Sequence, residues 1–359
     1  MSDPRILAAI RSWSHGDALV WPDDEFTGLA LEVFAHQYAR VEPYRRFCDR
    51  RGATPDRITR WQEIPAVPTE VFKRLRLCAS DDVVRTFRTS GTTVAERGQH
   101  HFGTLDYYRA AIFEPFRRFC LSDRHRIAML VLAPSPGEFE DSSLSFMLGE
   151  LVQRFGHPLA SGFHFSRDAD GELGFDLDGL LETLDLIGGP VMLLGTAFAF
   201  VELFDLMEGD LLLPAGSRAM ETGGTKGRTR EVARPELYAA FEARLGLDPT
   251  HCVAEYSMTE LSSQAYTDSR GRGVPWSEAL FRTPPWARVV AVDAVTLEPV
   301  EPGMRGLLRW YDLANVDSVL AVQTSDVGVV HRDGGFELLG RASGAELRGC
   351  SLSVEEILG

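Results

Sequence analysis

The chain has 359 residues, a length that suggests two or three packed subdomains. Of these residues 44% are hydrophobic and 25% charged, which are the proportions of a globular protein. Its formal net charge of −15 argues against nucleic acid and against an anionic membrane surface as partners. No uninterrupted run of about 18 apolar residues is present, so no membrane span is predicted.

The five cysteines are too widely spaced to form a CxxC motif, which argues against a zinc site. Their odd number fits reduced thiols in a cytoplasmic protein. Residues 1–15 contain Asp3 and Pro4 and lack a long apolar core, so they do not resemble a signal peptide. The expected location is therefore cytoplasmic.

The chain is predicted to begin with helices in residues 5–50, where apolar residues recur at helical spacing. Residues 64–68 are predicted to be extended, because each of two prolines pushes its predecessor out of the α region. The next predicted elements are a helix over 104–119 bent by Pro115, a buried strand at 127–132, a helix over 144–155 and a buried strand at 190–194. Apolar strands that alternate with helices indicate a largely parallel sheet covered on both faces.

The pattern changes near residue 286 to short strands separated by glycine turns, which predicts a β-rich subdomain of antiparallel hairpins. The predicted strands there are at 289–292, 306–310, 319–323, 328–331 and 336–339.

The most distinctive motif is Thr-Ser-Gly-Thr-Thr at residues 89–93, between a predicted strand at 83–87 and a stretch at 94–98 that is predicted to lead into a helix. Glycine lets a backbone approach an anion closely, hydroxyls and free N–H groups donate to its oxygens, and a helix N-terminus adds favourable potential. The motif therefore fits a phosphate cradle, and taken alone it also fits an ordinary Ser/Thr turn. It is not a Walker P-loop, because no Gly-Lys-Ser/Thr follows.

Two later segments contain residue types that suit a nucleotide. Residues 221–227, Glu-Thr-Gly-Gly-Thr-Lys-Gly, are rich in small residues and carry one cation, Lys226, and a flexible surface loop explains them equally well. In residues 255–260, Tyr256 offers a ring that can stack on a base, Thr259 a hydroxyl for a phosphate and Glu260 a carboxylate for Mg²⁺. The alternative for this segment is the start of an amphipathic helix.

Asp326 and Arg341 each stand at a strand end, where a polar side chain can reach a ligand. Asp326 can accept hydrogen bonds from two ribose hydroxyls, or it can cap a hairpin turn. Arg341 follows a predicted strand and a glycine, a place from which its guanidinium can meet ribose or phosphate oxygens.

Cys350 is the candidate nucleophile. It is flanked by a glycine and a serine, and Arg348 is near, which favours the thiolate. Ser353 and Glu356 form a predicted capping box, so Cys350 is expected just before a helix N-terminus, which also favours the thiolate. The alternative is a buried, unreactive cysteine.

In order and spacing these segments resemble the adenylate-forming superfamily, and most closely its acyl-protein synthetases, the long-chain-fatty-acid–luciferin-component ligases of bacterial bioluminescence. The strings that carry the resemblance are Thr-Ser-Gly-Thr-Thr, Glu-Thr-Gly-Gly-Thr-Lys-Gly, Tyr-Ser-Met-Thr-Glu and Arg-Gly-Cys-Ser-Leu, within residues 64–356. The resemblance implies the α/β large-domain fold of adenylate-forming enzymes, with layered sheets and a β-rich C-terminal subdomain. The expected parts are a helical part of the adenylation core (1–80), an α/β nucleotide- and acyl-binding core (81–285), the β-rich subdomain (286–340) and a short C-terminal segment with the nucleophile (341–359).

The resemblance also implies roles for individual residues. The β- and γ-phosphates of ATP would meet Thr89, Ser90, Gly91, Thr92 and Thr93. Adenine would lie beside Gly223 and Gly224, with Tyr256 stacked on it. Asp326 would bind the ribose, with Arg341 beside it. Thr259 would contact the α-phosphate, and Glu260 would bind Mg²⁺. In the family an acyl-adenylate forms first, and a cysteine near the C-terminus, here Cys350, then takes the acyl group as a thioester.

The acyl chain is expected near the segment that follows the buried strand at 190–194. Gly195, Thr196 and Phe198 suit an apolar tunnel, whereas Phe200 and Phe204 fit a core helix better.

The sequence departs from the superfamily pattern in two places. Superfamily members usually continue into a mobile small domain with a catalytic lysine, but this chain ends at Gly359 and no lysine follows Lys226. The small domain is therefore expected to be lacking, and Lys226 or Arg97 to supply the charge. The loop after Thr93 also reads Val-Ala-Glu-Arg-Gly and lacks the usual Pro-Lys-Gly ending.

The sequence thus predicts a ligase that activates a carboxylic acid, expected to be a fatty acid, with ATP and Mg²⁺. The acyl group would pass to Cys350 and then to a partner acyl reductase. Two alternatives are a ligase that uses free coenzyme A and a non-catalytic nucleotide-binding subunit of a reductase complex.

Overall fold

The computed structural model describes residues 4–13, 18–90, 97–167, 173–223, 232–342 and 348–358. The chain divides into two units, each assembled from separate stretches of sequence. The first comprises Met1–Glu114, Met258–Gln264 and Arg282–Gly359, and the second comprises Pro115–Ser257 and Ala265–Phe281.

The helices are α1 (Pro4–Ser12), α2 (Asp23–Arg40), α3 (Glu42–Arg50), α4 (Asp106–Cys120), α5 (Ser143–Phe155), α6 (Leu177–Leu186), α7 (Ala197–Leu206), α8 (Arg234–Leu245), α9 (Ser269–Arg272) and α10 (Arg348–Leu358). The strands are β1 (Val67–Pro68), β2 (Arg85–Arg88), β3 (Gln99–Phe102), β4 (Ala128–Leu132), β5 (Gly162–Phe163), β6 (Phe165–Arg167), β7 (Leu173–Phe175), β8 (Val191–Thr196), β9 (Arg218–Thr222), β10 (Cys252–Tyr256), β11 (Ala265–Thr267), β12 (Phe281–Arg282), β13 (Ala287–Val292), β14 (Arg305–Asp312), β15 (Ala321–Val330) and β16 (Phe336–Arg341). Within these described ranges, none of the helices has the length and apolarity needed to span a membrane.

The first unit begins with α1, α2 and α3, which confirm the helices predicted for residues 5–50. A fully buried glutamine, Gln37 on α2, holds the loop before β15 by its side-chain amide. The amide donates to the backbone oxygen of Asn315 at 2.8 Å and accepts from Leu320 N at 2.9 Å. Because both polar ends of Gln37 are satisfied, its burial carries little penalty.

An antiparallel sheet of β13, β14, β15 and β16 forms the core of the first unit, and β1 pairs with β15 in parallel. The antiparallel arrangement predicted for this part of the chain is confirmed. The separate strands predicted at 319–323 and 328–331 are wrong, because both belong to the single strand β15. Gly328 allows the strand to continue, since a Cβ there would lie 2.3 Å from the backbone oxygen of Glu337 on β16.

The second unit contains the parallel sheet that the apolar strands predicted. Its strands follow the order β11, β10, β9, β8, β4 and β5, and only the β10–β11 pair is antiparallel. Apolar residues of α6, α7 and α8 pack with Leu130, Leu193 and Ala219 in one buried cluster. In open sheets of this kind, ligands bind at the carboxyl ends of the strands, which here are the ends of β8, β9 and β10.

Candidate active site

Thr89 and Ser90, the described part of the Thr89–Thr93 motif, follow β2, and the prediction that the motif leads into a helix is wrong because β3 begins at Gln99. β2 and β3 pair in antiparallel register on either side of it, with Arg88 opposite Gln99. Thr89 and Gly98 close the loop, because Thr89 N donates to Gly98 O at 2.9 Å and Gly98 N donates to the Thr89 hydroxyl at 2.8 Å. At Gln99, where the predicted helix would begin, the chain enters β3, so no helix N-terminus is available at that position for anion binding.

Ser90 is exposed just beyond this closing pair. Gly91, Thr92 and Thr93 lie outside the described residues. Arg97, which was considered as a source of positive charge, donates from Nε to Thr89 O at 2.6 Å and from Nη2 to Arg88 O at 3.3 Å. Its guanidinium thus stabilises the base of the loop.

Thr259 and Glu260 lie in a turn of the first unit and do not begin a helix. Their backbone oxygens accept from buried side chains: His100 Nδ1 is 2.8 Å from Thr259 O, and Asn315 Nδ2 is 2.9 Å from Glu260 O. Burial lowers the pKa of His100 to about 4, so the ring is neutral at pH 7. Since a carbonyl oxygen only accepts, the proton of the neutral ring is on Nδ1.

The chain that follows Glu260 is fixed by the buried carboxylate of Asp312, at the end of β14. One carboxylate oxygen accepts from Ser262 N at 3.0 Å and from Ser263 N at 2.8 Å. The other accepts from the Ser263 hydroxyl at 2.6 Å and from Ala314 N at 3.0 Å. These four bonds hold the turn rigidly at its C-terminal side.

Glu260 is the residue that could hold Mg²⁺. It is buried, and its backbone is fixed by Asn315. Among the described residues no three His, Cys, Asp or Glu side chains converge on one point. A single carboxylate fits Mg²⁺, which proteins commonly bind through one or two carboxylates together with substrate phosphates.

Asp326 and Arg341 are brought together in the first unit. They are opposite each other in the β15–β16 register, and Arg341 Nε donates to Asp326 Oδ1 at 2.9 Å. Asp326 is inside β15, so its predicted position at the end of a strand is wrong and the alternative of a hairpin-turn cap fails as well.

Cys350 lies in the first unit and is the third residue of α10, so its predicted position before the helix is wrong. The thiol is half-buried and packs against Val292, Leu307 and Val327. Burial raises the pKa of the Cys350 thiol, while Arg309 lowers it to a smaller extent. The expectation that the surroundings favour the thiolate is therefore wrong for this arrangement of α10.

The second unit contains the other predicted nucleotide residues. Tyr256 is the last residue of β10, is buried, and its ring centroid lies 6.1 Å from that of Phe281. Gly223 is exposed directly after β9, and a Cβ at this position would meet no atom of the described residues within 4 Å. Gly224 and Lys226 lie outside the described residues.

The predicted acyl residues lie at the end of β8. Gly195 packs closely on β4, since a Cβ there would lie 2.8 Å from Leu132 Cβ, so its small size serves sheet packing. The Thr196 hydroxyl accepts from Ala199 N at 3.1 Å and caps α7. Phe198 is half-buried, and Phe200 and Phe204 pack in the core as predicted.

One chemically unusual residue of the second unit was missed. Glu255, on β10, is 1% exposed, and no described group meets hydrogen-bonding geometry with either of its carboxylate oxygens. Burial raises its pKa to about 7, and nearby Glu221 adds to the rise, whereas the hydroxyls of Ser257 and Thr222 oppose it. A glutamate in a strand gives no sequence signal that separates this environment from an exposed one.

Glu221, in contrast, has its partners. Its Oε1 accepts from Arg234 Nη2 at 3.0 Å and from the Tyr238 hydroxyl at 3.2 Å, both on α8. Adjacent residues of a strand point to opposite faces of the sheet, so Glu221, opposite Ala254, faces away from Glu255, opposite Thr222.

Known proteins resemble this chain in sequence and in fold. The long-chain-fatty-acid–luciferin-component ligase of Photorhabdus luminescens is 38% identical over 66 residues, which cover 18% of this chain and 56% of that protein. The open conformation of 2-hydroxyisobutyryl-CoA ligase, in complex with 2-HIB-AMP and CoA, matches with a TM-score of 0.66 at 15% identity over 91% of this chain and 73% of that one.

ATP-bound MatB from Rhodopseudomonas palustris matches with a TM-score of 0.53 at 15% identity, over 73% of this chain and 48% of MatB. The matched regions thus span about half of the length of both the Photorhabdus ligase and MatB. The two structural matches establish the fold, which is that of the adenylate-forming enzymes. Residues 18–359 match the family described as "Acyl-protein synthetase, LuxE", and the chain belongs to that family.

Proposed function

We propose that this protein activates a carboxylic acid with ATP and then carries the acyl group on Cys350. The observation that carries the proposal is the family match over residues 18–359. The buried anchoring of Thr259 and Glu260 supports it, because a turn fixed by side chains of distant residues can present a hydroxyl and a carboxylate in constant positions.

In the first half-reaction, an oxygen of the substrate carboxylate attacks the α-phosphorus of ATP. A bond from this oxygen to phosphorus forms, the bond from the α-phosphorus to the bridging oxygen breaks, and pyrophosphate leaves. Thr259 contacts the α-phosphate, and the loop at residues 89–93 holds the β- and γ-phosphates. Charge grows on phosphate oxygens in the transition state, so fixed donors stabilise it. Mg²⁺, when bound at Glu260 with ATP, would offset the phosphate charge.

We assign the remaining nucleotide contacts residue by residue from the family resemblance. In the first unit, Asp326 accepts from the ribose hydroxyls and Arg341 orients its carboxylate. In the second unit, Tyr256 offers its ring to adenine beside Gly223 and Gly224, Lys226 supplies positive charge, and Gly195, Thr196 and Phe198 lie near the acyl chain.

In the second half-reaction, the Cys350 thiolate attacks the acyl carbon of the adenylate. A carbon–sulfur bond forms, the bond from the acyl carbon to the phosphate oxygen breaks, and AMP leaves. The thiol proton passes to solvent. The raised pKa of Cys350 implies that this step is slow at neutral pH while the thiol remains packed against Val292, Leu307 and Val327.

The substrate is assigned from the relative that shares sequence, and the acceptor from the family resemblance. The Photorhabdus protein is named for long-chain fatty acids, so we assign a fatty acid as the substrate here. An acyl reductase that takes the acyl group from Cys350 is the proposed partner.

A second candidate is a ligase that uses free coenzyme A as the thiol. The half-burial of Cys350 and the direction of its pKa shift favour it, because an external thiol avoids the cost of ionising this one. The two candidates share the first half-reaction and differ in the acceptor.

Mass spectrometry of the protein after incubation with ATP, Mg²⁺ and a fatty acid tests the acceptor. We expect one acyl group on Cys350, retained in Cys78→Ala and absent in Cys350→Ala, with acid-dependent ATP–pyrophosphate exchange in all three proteins. Cys78 is the matched control, because it is another free cysteine of the first unit. Exchange without acylation, together with acyl-CoA formation when coenzyme A is added, would replace the first candidate with the second.

A further inference from the structure

Thr259 and Glu260, the two residues proposed to act on the phosphates of ATP, are each held by a hydrogen bond to the backbone oxygen. One donor precedes them in the sequence and the other follows them. The oxygen of Thr259 accepts from His100, 159 residues earlier, and the oxygen of Glu260 accepts from Asn315, 55 residues later. Both side chains are 1% exposed. Because two buried side chains hold consecutive carbonyl groups, they fix both the position and the orientation of the peptide between these groups.

His100 is itself fixed in place. Its ring lies on β3, with its centroid 4.1 Å from that of Phe102 and 6.0 Å from that of Phe72. In the hairpin, His100 is opposite Phe87, so it stands on the strand that returns from the Thr89–Thr93 loop. The His100 side chain thereby connects strand β3 to the backbone of Thr259.

Asn315 is held equally firmly, because both ends of its side chain are engaged. Nδ2 donates to Glu260 O and to Val319 O, each at 2.9 Å, and Oδ1 accepts from the Ser262 hydroxyl at 2.7 Å. The amide therefore has one orientation, and it determines where the Glu260 backbone lies.

We propose that His100 and Asn315 are positioning residues for adenylate formation, which set Thr259 and Glu260 against the phosphates of ATP. This inference rests on the proposed function. A displacement of about 1 Å in a reacting constellation lowers rates by about a hundredfold, so removing one of these hydrogen bonds is expected to act on kcat.

His100 offers a sharp test because asparagine and glutamine imitate different ring nitrogens. The amide nitrogen of asparagine takes the place of Nδ1, the atom that contacts Thr259, whereas that of glutamine takes the place of Nε2. We expect His100→Leu and His100→Gln to lower kcat for acid-dependent pyrophosphate exchange at least tenfold with little change in KM for ATP. His100→Asn should recover most of the rate.

His101→Leu is the matched control. His101 is the next residue of β3, and its Nδ1 lies 2.8 Å from the Thr86 hydroxyl within the hairpin. Its removal should leave kcat within about twofold of the wild-type value while it costs a comparable loss in thermal stability.

The outcomes separate the two levels of the proposal. Equal rates for the asparagine and glutamine variants, or equal kcat losses for His100→Leu and His101→Leu, overturn the positioning role while the activity stands. If His100→Leu does not fold, the comparison of asparagine with glutamine decides alone. Wild-type protein that gives no exchange with any acid overturns the proposed function, and the positioning role with it.

Discussion

Arg341 and Asp326 face each other across β15 and β16, with Arg341 Nε 2.9 Å from Asp326 Oδ1. The Arg341 side chain is 61% exposed and that of Asp326 only 7%, so the pair presents a buried carboxylate beneath a solvated guanidinium. An ion pair of this kind contributes little to stability but fixes the orientation of the carboxylate.

Asp326→Asn should therefore weaken ATP binding far more than it weakens the fold. The amide oxygen of asparagine still accepts, but a neutral hydrogen bond is weaker than a charge-assisted one by about 1–1.5 kcal/mol, so KM for ATP should rise about tenfold. Steady-state exchange kinetics at varied ATP measure this, with thermal unfolding as the control. The ribose assignment fails if KM is unchanged while the melting temperature falls.

The pH dependence of acylation should differ from that of adenylate formation. Burial raises the pKa of the Cys350 thiol above its ordinary value, so the thiolate fraction at pH 7 is small and increases about tenfold for each pH unit. Single-turnover transfer from a preformed acyl-adenylate, followed by quenching and mass spectrometry, should be faster at pH 9 than at pH 7. A transfer rate independent of pH over this range would show that the thiol ionises in a more polar setting.

Glu255→Gln should alter the pH dependence of stability. The pKa of Glu255 is raised to about 7 in the folded protein, so the folded state binds this proton more tightly than the unfolded state does. Stability is then fully present below the unfolded pKa and is lost as pH rises through the folded pKa, by about 3 kcal/mol between pH 4.5 and pH 7.

The glutamine variant removes this loss. Its free energy of unfolding, from denaturant titrations at several pH values, should fall less between pH 5 and pH 8 than that of the wild type. Glu221→Gln is the comparison, because Glu221 is buried but engaged by Arg234 and Tyr238. If the free energy of unfolding depends on pH identically in the wild type and in Glu255→Gln, the Glu255 carboxylate is in contact with water and not buried.

Asp312→Ala should destabilise the first unit strongly. The carboxylate accepts four hydrogen bonds, three of them from the buried backbone groups of Ser262, Ser263 and Ala314. Leaving several buried donors unsatisfied costs about 3 kcal/mol or more. Chemical denaturation measures the loss, and exposed Asp293 provides the control through Asp293→Ala. A loss below about 1 kcal/mol would show that the donors find other partners.

Local patterns in the sequence were sufficient for some of the regular elements, whereas β9 and β10 were not predicted. The parallel strand β4 is a continuous apolar run, and β13, the first hairpin strand after residue 286, begins with alternating buried and half-buried positions. β15 was divided wrongly, because Gly328 resembles a turn residue although close contact with β16 explains it.

The sites were harder to predict because their support comes from distant residues. The Thr89–Thr93 loop resembled a strand-to-helix turn, and pairing with β3 decided otherwise. Neither His100 nor Asn315 is near Thr259 in sequence, so no local pattern predicts their contacts. Small neighbours suggest an accessible Cys350, but Gly349 lies close to the turn that contains Ala294, whose backbone oxygen accepts from Gly349 N. The cysteine itself packs against a buried apolar cluster.

Acid-dependent exchange of pyrophosphate into ATP tests the central claim most directly. Purified protein would be incubated with ATP, Mg²⁺ and labelled pyrophosphate, with and without each member of a panel of aliphatic and aromatic acids. We expect exchange that requires an acid, is strongest with a fatty acid and persists in Cys350→Ala. Binding of ATP without exchange for any acid would contradict it and would favour a non-catalytic nucleotide-binding subunit.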